Sequence, residues 1–198
     1  MSKSASKAKT SVLKKPLSKI EATVTTRKIT PVTRAKAGPG MRRRIMTDNE
    51  VFALYGSPGN TNNFTQILSP FPLIIAWDSK VITYKLSCHK KIAVPLSNVL
   101  RDLLAYYGAS KIHSLGIDLY GGLYNKRLMR GSTTRWSRHS WAIAIDLDPN
   151  RNQLREDHTT ARFARAEYKP MIDIFYKYGF VGYGPEKDYD WMHFEIGI

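Results

Sequence analysis

The chain has 198 residues and is 42% hydrophobic, which suits one domain with a substantial core. Of its formal net charge of +15, residues 1–45 contribute +12 (thirteen Lys/Arg less one acid), so residues 46–198 carry only +3 and do not form a generally basic nucleic-acid-binding domain. The single cysteine, Cys88, excludes an internal disulfide and a cysteine-rich zinc site, so any metal must be held by histidines and carboxylates.

Residues 1–45 form a basic, low-complexity segment in which Lys and Arg alternate with Ser, Thr, Ala and Pro. This segment contains no aromatic residue, and its longest apolar runs are two residues, so it is predicted to be a disordered tail. An export signal or membrane span would need a longer apolar run, and neither is expected. Residues 46–198 are predicted to be the folded domain.

The first elements after the tail are weakly marked. Residues 46–63 mix apolar residues with turn signals and are predicted to be irregular. Residues 73–77 and 81–86 have strand-like patterns, and a turn at 78–80 would join them as a hairpin.

Two helical regions follow. Residues 95–107 carry apolar side chains at helical spacing, with Pro95 suited to the first helical position and Gly108 to the end. Residues 159–178 predict a second helix, which Pro170 should break or kink.

Three short apolar segments, residues 112–120, 141–147 and 191–198, are predicted to be strands. Because helices and strands do not alternate strictly, the sequence favours a small mixed α+β domain, with a central antiparallel sheet and flanking helices, over a doubly wound sheet.

Three residues in the last third of the chain form a candidate zinc site: His139, Asp146 and His193. Two imidazoles and a carboxylate leave one coordination position open, which is typical of catalytic zinc. The alternative is that these histidines are ordinary hydrogen-bonding residues at strand ends.

Strand alternation refines this candidate. Asp146 would share a face with Ala142 and Ala144, whereas His139 lies an odd number of residues away and should occupy a turn before the strand. In the last segment, alternation turns His193 and Glu195 to one face and Met192, Phe194 and Ile196 to the core. Asp190 would lie at the entrance of that strand, where a carboxylate can act as a general base, and Glu195 would orient an imidazole.

The two motifs together resemble a known family. The pattern Ser-x-His-x-x-Gly-x-Ala-x-Asp, followed by Asp/Glu-x-x-His, is similar to that of the zinc D-alanyl-D-alanine peptidases, which include VanY-type carboxypeptidases and L-alanyl-D-glutamate endopeptidases of phage endolysins. The matching positions are Ser137, His139, Ala144, Asp146, Asp190 and His193, and weaker likeness extends over residues 52–198. Ala142 stands where the family has glycine, which puts the fit of the substrate in doubt more than metal binding.

The resemblance implies a hedgehog/DD-peptidase-like fold and zinc held by His139, Asp146 and His193. It also implies Asp190 as the general base, with Ser137 and Glu195 supporting the ligands. An arginine before the first motif would bind substrate; Arg127 matches best, and Arg130 and Arg135 are alternatives. Two other candidates, Cys88 and His89, lack the partners of a thiol nucleophile, and His113 and His158 are expected to be structural or surface residues.

The function that the resemblance implies is zinc-dependent cleavage of an amide in the peptide stem of bacterial peptidoglycan, by a phage or prophage lysin or a virion-associated wall hydrolase. Such a protein would be made in the host cytoplasm without a signal peptide and would act on the cell wall. The alternative is a non-catalytic virion structural or attachment protein. In either case residues 1–45 could be a solvated arm, bind a polyanion such as DNA or a wall polymer, or dock onto a virion protein.

Overall fold

A computed structural model describes residues 43–198, so the predicted tail lies outside the described residues except for its last three. The described part is a mixed α+β fold built on a six-stranded sheet, with strand order β2-β1-β3-β4-β6-β5. Neighbouring strands are antiparallel except for the pair β1 and β3. The strands are β1 (Phe64–Ile75), β2 (Ile82–His89), β3 (Leu119–Gly122), β4 (Ala144–Leu147), β5 (Phe180–Gly182) and β6 (His193–Ile196). The predicted fold class is confirmed.

Four α-helices accompany the sheet: α1 (Asp48–Tyr55), α2 (Ala93–Leu115), α3 (Lys169–Lys177) and α4 (Tyr183–Lys187). Within residues 43–198, none of them combines the length and apolar character that a membrane span requires.

Helix α1 was not predicted. Its N-terminus is a capping box: the Thr47 hydroxyl accepts a hydrogen bond from the Glu50 amide, and the Glu50 carboxylate accepts one from the Thr47 amide at 2.8 Å. Since α1 buries Val51 and Tyr55, the prediction of irregular structure was wrong for the first half of residues 46–63. The Thr-x-x-Glu spacing was the available signal.

The predicted hairpin is confirmed, although both of its strands are longer than expected. Strand β1 extends back to Phe64, and its pairing with β2 shifts register between Leu68 and Leu73. Pro70 and Pro72 lie in this interval, and because proline has no amide hydrogen to donate, the hydrogen-bond ladder is interrupted there.

Helix α2 begins at Ala93, two residues before the predicted start, and packs against β1 through side chains that are fully buried, namely Leu96, Val99, Leu100 and Leu103. Gly108 breaks the helical geometry with φ 70° and ψ 158°, but the chain resumes a helical path as far as Leu115. Residues 112–115 are therefore helical, and the strand predicted over 112–120 is limited to β3.

The second helical region is shorter than predicted. Residues 162–164 and 166–168 form two separate 3₁₀ turns, and only α3 is an α-helix. Pro170 lies in the first turn of α3, where its missing amide hydrogen costs nothing, so it starts the helix instead of kinking it. The Phe175 ring of α3 stacks on Phe194 of β6 with centroids 4.1 Å apart, which fixes β6 against the core.

The chain ends beside the beginning of the described part. Arg44 and Ile198 exchange two backbone hydrogen bonds, of 3.0 and 3.1 Å. Ordered structure thus starts before residue 46, and the division into a tail over 1–45 and a domain over 46–198 stays a prediction.

Candidate metal centre

Strands β4 and β6 bring three candidate ligands together. Asp146 of β4 and His193 of β6 are directly paired across the two strands. His139 lies on the 3₁₀ helix Arg138–Trp141, which precedes β4. Asp146 Oδ1 is 3.2 Å from His139 Nε2 and 3.0 Å from His193 Nδ1, and the two nitrogens are 3.3 Å apart.

The other nitrogen of each imidazole has a partner that fixes the position of the proton. His139 Nδ1 lies 3.1 Å from the Leu123 carbonyl oxygen, which can only accept, so Nδ1 carries the hydrogen. His193 Nε2 lies 3.2 Å from the Glu195 carboxylate, which likewise favours a hydrogen on Nε2. His139 Nε2 and His193 Nδ1 are therefore the ring nitrogens that can bind a metal beside Asp146 Oδ1, once the proton shared with Asp146 has left. Three potential metal ligands thus converge on one point.

This arrangement fits a zinc ion. Ligands about 2.0–2.2 Å from tetrahedral zinc lie roughly 3.3–3.6 Å from one another, close to the observed separations. Two imidazoles and one carboxylate also leave a fourth position for water or substrate. The donor set and its spacing therefore suit a catalytic zinc site.

The charges of the three groups determine what a metal ion must displace when it binds. Burial lowers the pKa of His193, but hydrogen bonds to Asp146 and Glu195 outweigh it and raise that pKa to about 10. Burial raises the pKa of Asp146, yet the two imidazoles outweigh it and hold that pKa well below its usual range. Without a metal the cluster retains a proton, so a metal ion must displace that proton when it binds.

Asp190 lines the same cleft, of about 590 Å³, from the turn that precedes β6. Its side chain is buried, and its Oδ1 has no hydrogen-bond partner. Its backbone is left-handed, with φ 54°, a conformation that costs a non-glycine residue about 1–3 kcal/mol and recurs at functional sites. Burial raises the pKa of Asp190, which makes its carboxylate a stronger base than that of an exposed aspartate.

Comparison with known proteins adds one finding. A family model described as D-alanyl-D-alanine carboxypeptidase matches residues 130–196. Residues 130–196 are thus similar to this peptidase family. The matched segment contains His139, Asp146, Asp190 and His193, whereas Arg127 lies outside it. No curated protein and no solved structure matches the chain significantly.

Behind the metal centre lies a buried charge network that the sequence did not reveal. Arg138 Nε is 3.6 Å from Glu195 Oε1, and both side chains are almost inaccessible to solvent. The same guanidinium donates to Asp48 Oδ1 at 2.9 Å and to the Met46 carbonyl at 2.7 Å. The start of α1 thus supports Arg138, which faces the carboxylate that contacts His193.

Arg138→Met is expected to destabilise the fold by about 3–5 kcal/mol, because it removes the cation beside the buried Glu195 carboxylate, which keeps only its contact with His193, and also removes the hydrogen bonds to Asp48 and the Met46 carbonyl. The double variant Arg138→Met/Glu195→Gln should recover a large part of that loss, since the buried charge is gone. Urea unfolding of the wild type, both single variants and the double variant measures this. Additive losses in the double variant would contradict the pairing.

Two of the three candidate arginines lie at the cleft of the metal centre, and the third does not. Arg127 and Arg130 line the cleft of the metal centre. Arg135 instead pairs with Asp48 at 2.9 Å and is largely exposed. Ser137 lines the cleft too, and its backbone amide donates to the Arg127 carbonyl at 3.0 Å, which links Arg127 to the metal motif.

Tyr183 and Trp141 lie in different places relative to the cleft. Tyr183 lines it, and its ring centroid lies 4.5 Å from that of His193. Trp141 is a core residue whose indole donates to the Gly56 carbonyl at 2.7 Å. Met192 was predicted to face the core but lines the cleft, because β6 begins only at His193.

The backbone conformation of Ala142 explains why the family has glycine at this position. Ala142 is not part of β4; it follows the 3₁₀ helix in a left-handed conformation, with φ 53° and ψ 43°. The prediction that Ala142 shares a strand face with Asp146 was wrong. Glycine adopts this conformation freely, and alanine does so at a cost of about 1–2 kcal/mol. The Ala142 methyl group is fully buried in the core and does not line the cleft.

Ala142→Gly is expected to change the free energy of unfolding by less than about 1 kcal/mol, because relief of the backbone strain offsets the lost methyl group and the extra freedom of the unfolded chain. Ala142→Val should cost more than about 2 kcal/mol, since a β-branched residue tolerates positive φ poorly. Denaturant titration measures both. A several-fold rise in turnover for Ala142→Gly would instead mean that the methyl group restricts the substrate.

The remaining histidines and the cysteine lie outside the cleft lining. Burial raises the pKa of the Cys88 thiol to about 11, so it is not a thiolate at neutral pH. His89 is buried and packs edge-on against Tyr55. His113 and His158 are mostly exposed and bond to Asp118 and Asp188 at 2.7 and 2.6 Å.

Proposed function

We propose that this protein is a zinc-dependent peptidase that cleaves an amide bond in the peptide stem of bacterial peptidoglycan, of the L-alanyl-D-glutamate endopeptidase or D-alanyl-D-alanine carboxypeptidase type. The observation that carries the proposal is the convergence of His139 Nε2, Asp146 Oδ1 and His193 Nδ1 within 3.0–3.3 Å, each of which can offer a lone pair once a metal displaces the retained proton. The family match over residues 130–196 supports the reaction and the class of substrate.

His139, Asp146 and His193 would hold the ion. Bound zinc supplies a Lewis acid that lowers the pKa of water and polarises a carbonyl group. Glu195 keeps the hydrogen of His193 on Nε2 and so keeps Nδ1 free to coordinate.

Asp190 acts as the general base. Asp190 lines the cleft that also contains the three ligands, and its buried Oδ1 has no hydrogen-bond partner, so the carboxylate is not engaged elsewhere and can take a proton from the attacking water. The carboxyl group can then return this proton to the leaving amine.

Arg127 binds a substrate carboxylate or the oxyanion. Its backbone is fixed beside the metal motif, because its amide donates to Ser140 Oγ at 3.1 Å and its carbonyl accepts from the same hydroxyl at 2.9 Å. Arg130 also lines the cleft but has no such backbone tie to the motif among the hydrogen bonds of residues 43–198.

The experiment is a peptidoglycan turbidity assay with the wild type, with and without a chelator, followed by mass spectrometry of the released fragments. We expect zinc-dependent clearing and fragments cut within the peptide stem. A chelated sample as active as the untreated one would reject zinc dependence, and no released fragments would reject the hydrolase.

We further propose a biological setting of phage or prophage lysis or of a virion-associated wall hydrolase, with residues 1–45 as a basic arm. Truncation of residues 1–42 tests the arm: lost binding to DNA or purified cell wall, with unchanged cleavage of a small peptide, would assign it a polyanion-binding role. A truncated protein that binds both as well as the full chain would exclude that role.

A further inference from the structure

A second cleft, of about 880 Å³, extends the metal centre toward the turn between β1 and β2. Its lining includes His139 and Asp146 and, on the far side of β3, Trp77. Trp77 follows β1 by two residues and is 72% exposed, the highest value among the large apolar side chains of residues 43–198. An exposed indole in a cleft that is continuous with a catalytic site is typical of a ligand-binding surface.

The indole is held close to the metal centre by the sheet. The Ala76 amide donates to the Tyr120 carbonyl at 3.0 Å, which ties the turn to β3. On the other side of β3, Gly122 pairs with Asp146. With strands spaced about 4.8 Å apart, β1 lies roughly 10 Å from β4.

The floor between the two ends suits an extended polymer. It is formed by Gly121 and Gly122, which have no side chains, and a Cβ added at Gly122 would meet no atom within 4 Å. The amide side chains of Asn125 and Asn150 lie along the same cleft and can pair with hydroxyl and acetamido groups.

We propose that Trp77 forms a subsite for the amino-sugar end of the substrate, where the indole stacks on the sugar ring. This inference rests on the proposed peptidoglycan peptidase function. Aromatic rings bury a large apolar face, and a pyranose offers a matching face of C–H groups.

The short separation between Trp77 and the metal centre favours one of the candidate peptide bonds. An extended peptide covers about 3.3–3.6 Å per residue, so L-alanine, the lactyl spacer of about one residue's length before it and half the width of the sugar ring together place the centre of the sugar roughly 10 Å from the L-alanine carbonyl. For cleavage at the D-alanyl-D-alanine end the sugar would be roughly 20 Å away, since three more residues intervene. A Trp77 subsite for the sugar therefore favours cleavage after L-alanine.

Two substrates test this: a disaccharide-bearing stem peptide and the same peptide without its sugars. We expect Trp77→Ala to raise KM about 3- to 10-fold on the first and less than about 2-fold on the second, and Trp77→Phe to retain most of the affinity. Tyr106→Ala, which removes another exposed aromatic ring on α2, is the matched control and should change neither value.

An equal effect of Trp77→Ala on both substrates, or none on the disaccharide-bearing one, would overturn the subsite. If the wild type cleaves neither substrate, the proposed function fails, and fluorescence titration with the free disaccharide still decides on Trp77. A change in indole emission that Trp77→Phe abolishes supports the subsite, and identical titrations of the two proteins reject it.

Discussion

Asp190→Asn is expected to lower kcat by about 10²–10⁴-fold while zinc binding is retained, because the amide keeps the shape of the side chain but cannot accept the proton of the attacking water. Asp190 Oδ1 is buried without a hydrogen-bond partner, so no hydrogen bond within residues 43–198 competes for it. Peptide hydrolysis measured together with bound zinc per chain separates a lost base from a lost metal.

Asp188→Asn is the matched control for this variant. Asp188 lies two residues away in the same turn, but its carboxylate is largely exposed and bonds to His158 outside the cleft lining. We expect its turnover to stay within about 3-fold of the wild type. Equal losses in both variants would mean that the turn, and not the Asp190 carboxylate, is what turnover requires.

The same carboxylate should set the acid limb of the pH profile. Burial raises the pKa of Asp190, and a base must be deprotonated to act, so kcat/KM should fall as pH drops through an apparent pKa above that of an ordinary aspartate. In Asp190→Asn this limb should disappear from the residual activity. A limb that is identical in the variant would assign the titration to another group.

The fold class could be predicted because it depends on patterns that are local in sequence. The apolar spacing of α2 and the turn of the β1–β2 hairpin determine their elements, and both were found. Helix α1 was missed because its apolar face is short and only the Thr47/Glu50 capping box marks it. The continuation of α2 past Gly108 was missed because a glycine that breaks helical geometry is indistinguishable, in sequence, from one that ends a helix.

In the candidate site, too, residues marked by local sequence patterns were found, and residues that depend on long-range contacts were missed. Spacing and resemblance singled out His139, Asp146 and His193, and the pairing of Asp146 with His193 needed only that β4 and β6 be neighbours. Arg138 could not be found, because its contacts with Asp48 and Met46 join residues about ninety positions apart. Ala142 was misassigned because the 3₁₀ turn, and not the strand, determines its backbone.

Asp146→Asn should reduce zinc affinity by several orders of magnitude, because it removes the only anionic member of the three converging groups while nearly preserving its shape. Thermal unfolding with added zinc measures this. A ligand that binds only the folded state at 1,000 times its Kd stabilises it by about 4 kcal/mol, so the wild type should show a clear rise in Tm and Asp146→Asn little or none.

The double variant His113→Ala/His158→Ala controls for zinc bound at the surface. These two imidazoles are mostly exposed, and each contacts a single carboxylate outside the cleft lining. We expect the full zinc-dependent rise in Tm in this variant. A rise that survives Asp146→Asn but is lost in the double variant would show that zinc binds the surface histidines, and the His139/Asp146/His193 site would be rejected.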